Sequence, residues 1–119
     1  MRIAPLISVL LFSATPALAQ SLCAEPPMPA PVGGATLTAD QLRAAMADAR
    51  NFIAQSGVYQ DCLLKEVDDA KAQATAGSQP FDPAIEAGAR AKVEASKKAQ
   101  EKVGAAANGA FSAYKKYPN

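Results

Sequence analysis

The chain has 119 residues, 12 of them basic and 11 acidic, and it contains no histidine and no tryptophan. Without histidine there is no Ser-His or Cys-His nucleophile, no imidazole general base and no imidazole metal ligand, so we expect no enzyme activity, no metal and no cofactor. The formal charge of +1 also argues against a nucleic-acid partner, because nucleic acid favours a strong basic excess.

Residues 1–19 are predicted to be a cleaved signal peptide. A basic residue lies near the start, and the apolar run Leu6–Phe12 is shorter than the ~20 apolar residues that span a bilayer. The small-x-small triplet before Gln20 places signal-peptidase cleavage between Ala19 and Gln20. A membrane anchor is the alternative, but no second apolar run follows. We therefore expect a periplasmic, exported protein without a transmembrane segment in the mature chain.

The chain has two cysteines, Cys23 and Cys62. An even count after a signal peptide favours an intramolecular disulfide, and closing this loop would stabilise the fold by about 4 kcal/mol. An intermolecular disulfide and a free redox-active pair are the alternatives. The sequence has no CxxC motif, which disfavours a thioredoxin-type role. Lipidation of Cys23 is disfavoured because Leu22, rather than a small residue, precedes it.

Residues 20–37 are predicted to form an extended arm. Pro26, Pro27, Pro29 and Pro31 remove backbone donors and favour polyproline II, and Gly33-Gly34 then provides a flexible joint. The arm is interpreted either as a docking peptide for an aromatic groove on a partner or as a stiff spacer that lies along the helices. We favour the spacer.

The first helix is predicted over residues 39–76. Thr38 and Gln41 have the spacing of a capping box, and Leu37 and Leu42 that of a hydrophobic staple. Apolar positions recur every three or four residues, as one face of a helix requires. These positions are Leu42, Ala45/Met46, Ala49, Phe52/Ile53, Ser56, Tyr59/Gln60, Leu63, Val67, Ala70 and Ala74.

The segment Phe52–Leu64 is the most apolar and aromatic part of the mature chain, and it contains Cys62. We predict that the arm and both helices meet here, with Tyr59 packing beside the disulfide. Gly57 is expected to let the arm or a neighbouring helix approach closely.

A turn is predicted over residues 77–82, with Gly77 as C-cap, Phe81 covering the end of the hairpin and Asp82 as the next N-cap. The second helix is predicted over residues 83–114, followed by a frayed tail. Its apolar face is expected to comprise Ile85, Ala89, Val93, Ser96, Ala99/Gln100, Val103, Ala107, Ala110/Phe111 and Tyr114.

The short connection predicts an all-α fold, an antiparallel two-helix hairpin over residues 38–119 with a proline-rich arm fastened by a disulfide. Residues 39–75 hold six acidic and four basic residues, and residues 83–117 hold three acidic and seven basic ones, so opposite charges favour pairing. Folding about Ser78 places Asp61 opposite residues 93–98 and Asp68-Asp69 opposite residues 86–90. Gln60, Asn51 and Asn108 are expected to pair across the interface, and Asn108 to fix the alignment.

Two polar clusters are interpreted as solvated faces. Glu66, Asp68 and Asp69 do not converge on one helical face, which disfavours a cation site or acid–base pair. Lys97-Lys98 is interleaved with acids. Lys115-Lys116 lies among aromatic residues, which makes the C-terminal end the better candidate for a membrane surface.

The chain resembles a family of small, exported, uncharacterised alphaproteobacterial proteins with no established activity. The shared features are a Cys-x-x-Pro-x-x-Pro arm (Cys23, Pro26, Pro29), Gly34-Ala35-Thr36, Phe52-Ile53, Tyr59-x-x-Cys62-Leu63, Glu101-Lys102-Val103-Gly104, Asn108 and Ala113-Tyr114. They cover most of the mature chain. The resemblance implies no catalytic residues and supports treating the arm, both cysteines and the two helices as one unit.

We predict a non-enzymatic periplasmic protein that acts as a protein-interaction or structural element of the cell envelope. The alternative is a module that binds membrane or cell wall through its C-terminal end. The partner is expected to be an envelope protein or a second copy of the chain, so a homodimer is left open. The candidate interaction surface comprises Pro26, Pro27, Pro29, Phe111, Tyr114, Lys115, Lys116 and Tyr117.

Overall fold

The computed structural model describes residues 22–31 and 37–117. These residues form two α-helices, α1 (Ala39–Ala76) and α2 (Pro83–Lys116), and no strand. The helices pack against each other in antiparallel orientation, and the extended segment 22–31 is joined to α1 by a disulfide between Cys23 and Cys62. The predicted all-α hairpin is therefore confirmed. The predicted signal peptide, its Ala19/Gln20 cleavage site and the Gly33-Gly34 joint lie outside the described residues.

The start of α1 is fixed by the predicted capping box. The backbone N–H of Gln41 donates to the Thr38 hydroxyl at 3.2 Å, and the Gln41 side-chain oxygen accepts from the Thr38 N–H at 2.9 Å. Two of the N–H groups that a helix start leaves without intrahelical partners are thereby satisfied. The Asp82 carboxylate likewise caps α2, because it accepts from the Ala84 N–H at 2.9 Å.

The end of α1 differs from the expectation in one residue. Gly77 is the C-cap, as predicted, but its φ is −87°, and the left-handed conformation falls on Ser78 with φ 50°. The Gln79 N–H donates to the Ala74 carbonyl at 2.8 Å and the Ser78 N–H to the Thr75 carbonyl at 3.1 Å. These two bonds form a Schellman motif with serine where glycine is usual.

The core lies in two clusters between the helices. Ala49, Phe52, Val103 and Ala107 form the first, and Tyr59, Leu63 and Val93 form the second, against which Cys23 packs. The predicted apolar stripe of α1 is confirmed at its seven buried residues, which are Leu42, Ala49, Phe52, Ser56, Tyr59, Leu63 and Val67. It is wrong at Ile53, which is 38% exposed.

The predicted face of α2 is wrong at two large side chains. Ile85 is 46% exposed and Phe111 is 45% exposed. Ile85 lies in the first turn of α2, at the end of the hairpin next to the turn. Phe111 lies on the side of the hairpin away from the arm. The helix also continues to Lys116, two residues beyond the predicted end, and the Tyr117 N–H donates to the Ala113 carbonyl at 3.0 Å.

The register is centred on Ser78, as predicted. The Gln60 amide donates to the Ser96 hydroxyl at 3.0 Å and to the Gln100 side-chain oxygen at 3.0 Å, which confirms its role across the interface. Asn108 is exposed, so its expected role in alignment is wrong; the buried residue is its neighbour Ala107, about 100° away around the helix. Asn51 accepts from Gln55 on its own helix at 3.4 Å.

The described ion pairs only partly follow the expected charge pattern. One pair crosses the interface, between Lys71 and Glu86 at 3.0 Å, and there α1 contributes the base. Asp69 pairs instead with Lys65 on its own helix at 2.6 Å, an exposed contact that raises the pKa of the lysine through a hydrogen bond. Acidic excess on α1 therefore does not translate into a ladder of contacts to α2 within one molecule.

Candidate functional site: an arm-walled groove and two chain ends

The disulfide junction fixes the start of the arm. The Cα atoms of Cys23 and Cys62 are 5.7 Å apart, within the range of an ordinary disulfide. One residue earlier, the Leu22 N–H donates to a Glu66 carboxylate oxygen at 2.8 Å. A covalent bond and a charge-assisted hydrogen bond thus hold the arm to successive turns of α1.

Tyr59 packs beside this junction, as predicted. Its side chain is buried against Leu63 and Val93. Burial raises the pKa of its phenol, and the negative charges of Glu25 and Glu66 raise it further. A raised pKa keeps the phenol protonated at neutral pH, which is the opposite of what an activated nucleophile or general base needs. Tyr59 is therefore a packing residue of the junction.

One group of three potential metal ligands occurs in the described chain. Ligand atoms of Cys23, Cys62 and Glu66 lie within 4.8 Å of one another. The two sulfurs are bonded to each other, and thiolate is the form of cysteine that binds metal. In the oxidised protein the group therefore offers a cation one carboxylate, which already accepts a hydrogen bond from the arm.

Gly57 does not have the expected role within one molecule. A Cβ built at this position meets nothing within 4 Å, so neither the arm nor α2 approaches it closely. The closer approach is at Gly104, where the built Cβ lies 4.0 Å from the Ile53 side chain. The prediction for Gly57 is therefore wrong within one molecule, because the arm packs on the other side of α1.

The arm forms one wall of a groove of about 680 Å³ between the N-terminal half of α1 and the C-terminal half of α2. Its lining residues are Met28, Pro29, Ala30, Pro31, Leu37, Gln41, Ala44, Ala45, Asp48, Ala49, Lys102, Val103, Ala106 and Ala107. The volume lies in the range of ~300–1,000 Å³ that is typical of ligand sites, and most of the wall is apolar.

The polar groups of the groove are few. Asp48 and Lys102 contribute one charge each, and neither has an ion-pair partner among residues 22–31 and 37–117. Both charges are thus available to a bound molecule. Alanine side chains make up much of the helical wall, so the groove is wide because these residues are small.

The arm prolines divide into two groups. Pro26 and Pro29 are partly buried, whereas Pro27 is exposed and Met28 is 51% exposed. Pro27, Met28 and Pro29 line a smaller cavity of about 180 Å³ together with Phe52 and polar residues of α1. The arm lies along α1, as the spacer interpretation expects, and presents Met28 to both cavities.

The C-terminal end carries the second set of predicted surface residues. Phe111 is 45% exposed and Tyr117 is 58% exposed, while Tyr114 is partly buried. The Lys115 ammonium lies 5.6 Å from the centre of the Phe111 ring, and that of Lys116 lies 5.7 Å from the Tyr117 ring. Each exposed aromatic ring is therefore paired with a cation from its own end of the helix.

The two predicted surface regions are not one site. The arm, from Cys23 to Pro31, lies along the middle and the N-terminal part of α1. The cluster of exposed aromatic rings and lysines lies at the C-terminal end of α2. Sequence reasoning missed the groove between them because its walls come from three segments that are distant in the chain. Paired alanines at residues 44–45 and 106–107 are the one local signal of it.

Neither helix has a stretch long and apolar enough to cross a membrane, in the part of the chain that the structure describes. No protein-family model, curated protein or solved structure matches this chain. The resemblance to exported alphaproteobacterial proteins stays a prediction.

Proposed function

We propose that the protein is a non-enzymatic, periplasmic interaction element of the cell envelope, and that it binds an apolar segment of another envelope protein. The observation that carries this proposal is the open apolar groove whose outer wall is the disulfide-held arm. A wall held by a covalent bond is ordered before binding, so less conformational entropy is lost when a partner binds.

The chemistry of the groove selects its occupant. Apolar walls favour a partner with aliphatic side chains. Asp48 can contact one positive charge of that partner, and Lys102 can contact one negative charge. A highly charged polymer would leave charges unpaired against alanine and proline. A polypeptide segment with spaced apolar residues satisfies both requirements.

Site-directed photo-crosslinking in the exporting cell tests this function. A photoreactive residue in place of Met28, in the groove, should give one discrete adduct with another envelope protein. The matched control replaces Val58, an apolar residue that is 70% exposed elsewhere on α1. Ala106→Trp, which fills the groove, should abolish the Met28 adduct while the melting temperature is retained. Equal labelling from both positions, or an adduct that survives Ala106→Trp, would contradict the proposal.

A second function is favoured by the C-terminal cluster, where exposed aromatic rings and lysines occur together. Such residues suit the interface of an anionic membrane. Co-sedimentation with anionic vesicles should be lost in a Phe111→Ser, Tyr117→Ser double variant and retained in Val58→Ser. A chain that ends after Ala110 should behave like the double variant; sedimentation equal to the full chain would remove this function.

A further inference from the structure

We propose that a second copy of this chain packs on the face of the hairpin opposite the arm and completes a four-helix bundle. This bare face comprises Ile53, Gly57 and Leu64 of α1 and Gln100, Gly104 and Phe111 of α2. The proposal is independent of the groove, which lies on the arm side, and it is an alternative to the membrane function at Phe111, because the second copy would cover that ring.

The bare face has the composition of an interface. Ile53 is 38% exposed, Leu64 42% and Phe111 45%. Helical spacing of 100° per residue aligns Ile53 with Leu64 on α1 and Gly104 with Phe111 on α2, and the Ile53 side chain lies 4.0 Å from a Cβ built at Gly104. Gly57 and Gly104 lie between them, and a Cβ at Gly57 meets nothing within 4 Å. The open space that has no occupant in one molecule accommodates a helix of the second.

The amide groups at the centre of the bare face already make three hydrogen bonds within one molecule. The Gln60 amide donates to Ser96 and Gln100, and the Gln100 amide donates to the Ile53 carbonyl at 2.9 Å. Both donors of the Gln60 amide and one of the Gln100 amide therefore keep their acceptors when the face is covered, which lowers the usual cost of burying amides. The network allows an apolar partner surface to cover it.

The area is large enough for a stable dimer. From residue 46 to residue 71 the helical rise gives a face about 38 Å long, and two adjacent helices are about 18 Å wide. Each copy would bury about 700 Å², close to the ~800 Å² per partner of a standard interface. A two-fold interface uses the same face of both copies, so the bare faces cover each other and give a closed dimer rather than a filament.

Charge selects the orientation of the second copy. The acidic excess of two on α1 and the basic excess of four on α2 favour α1 facing α2 of the second copy. A two-fold axis parallel to the helices produces this arrangement, whereas the reversed orientation places the acidic helices together. Like net charges in contact disfavour the reversed arrangement.

The rim of the bare face carries charges that match across this axis. Asp61 on α1 and Lys97 on α2 lie at heights that differ by about 3 Å in the observed register, and Arg50 and Glu101 by about 8 Å. Among the described residues, Asp61, Arg50 and Glu101 have no ion-pair partner within 4.0 Å. Lys97 has an exposed contact with Glu94 at 3.4 Å, which it can exchange.

Analytical ultracentrifugation of the oxidised mature chain tests the face. We expect twice the chain mass, and conversion to monomer in Leu64→Glu. Val58→Glu makes the same change at an exposed apolar residue off the face and should remain dimeric. A monomer throughout the concentration series, or a dimer unaffected by Leu64→Glu, would overturn the proposal.

A charge exchange tests the orientation. Asp61→Lys and Lys97→Asp should each weaken the dimer several-fold, because each places like charges together at two symmetric positions. The Asp61→Lys, Lys97→Asp double variant should recover the dissociation constant of the wild type. Equal weakening in the double variant and the singles would rule out the two-fold axis proposed.

Discussion

Ser56 is the most unusual residue of the core. It is 1% exposed, and its hydroxyl has no hydrogen-bond partner among the described residues. A buried hydroxyl without a partner costs about 1–3 kcal/mol, and alanine also favours the helix. The small serine side chain suits this position, because Ser56 lies in the helix interface between the turns of α1 that carry Phe52 and Tyr59.

Replacing Ser56 by alanine should therefore stabilise the protein. We expect Ser56→Ala to raise the free energy of unfolding by about 1 kcal/mol in chemical denaturation. Ser96→Ala is the matched control, because Ser96 is also buried but accepts a hydrogen bond from Gln60. That variant should lower the free energy of unfolding. Equal effects of the two variants would contradict the assignment of Ser56.

Ser78 offers a second residue-scale prediction. A non-glycine residue with φ 50° is strained by about 1 kcal/mol, and glycine removes that strain. Ser78→Gly should therefore raise the melting temperature by about 4–8 °C. Gln79→Gly, one residue along, should not raise it, because Gln79 is not in the left-handed region. A lower melting temperature for Ser78→Gly would show that the turn is not strained.

At the residue scale, helix caps are easier to predict from the sequence than the backbone conformation of a single turn residue. Thr38 with Gln41 and Asp82 with Pro83 are recognisable because the side chains that form the bonds are themselves the signal. The left-handed residue at Ser78 is not recognisable, since the adjacent Gly77 is the residue that ordinarily takes that conformation.

At the scale of elements, the ion pair between Lys71 and Glu86 connects the two helices near the turn. The hydrogen bond from Arg90 lowers the pKa of the Glu86 carboxyl most, followed by that from Lys71. A carboxyl whose pKa is lower in the folded state stabilises the fold above its unfolded pKa, and this stabilisation is lost as pH falls through the folded pKa.

Glu86→Gln should therefore reduce the pH dependence of stability. We expect the wild type to lose melting temperature between about pH 5 and pH 3 more steeply than the variant. Glu94→Gln is the control, since Glu94 has only one exposed ion pair and it lies within α2. Parallel curves for wild type and Glu86→Gln would show that the cross-helix pair does not contribute.

The disulfide attaches the arm to α1, and its loss should affect the whole fold. We expect Cys62→Ser to lower the free energy of unfolding by about 2–5 kcal/mol. Cys23→Ser should cause the same loss, because either substitution releases the same loop. Addition of a reductant should bring the wild type to the variants' melting temperature. No change under reduction would contradict the stapled arm.

The helices were predictable at this scale because caps, spacing and the turn all agree on the same boundaries. The buried face of each helix was predictable where apolar side chains of the two helices lie opposite each other, as Leu63 and Val93 do. They were not predictable at Ile85 and Phe111, because periodicity indicates which side chains share a face but not whether another element covers it.

At the scale of the molecule, the two sides of the hairpin differ, because only one of them contacts the arm. The arm covers one and forms the groove with the helices, and the other presents Ile53, Leu64 and Phe111 to solvent. The groove could not be predicted because it depends on where the arm lies after Cys23. The bare face follows from the fold, since two helices cannot bury both sides of their shared interface.

The Cys23–Cys62 disulfide joins the arm to the middle of α1, and we propose that the chain is exported. Non-reducing tryptic mapping of the protein from its native host tests this most directly. We predict one peptide pair, residues 20–43 linked to residues 51–65, with residue 20 as the new N-terminus. Under reduction the pair should separate. Free thiols in both peptides, or a dimer of the 51–65 peptide, would contradict the claim.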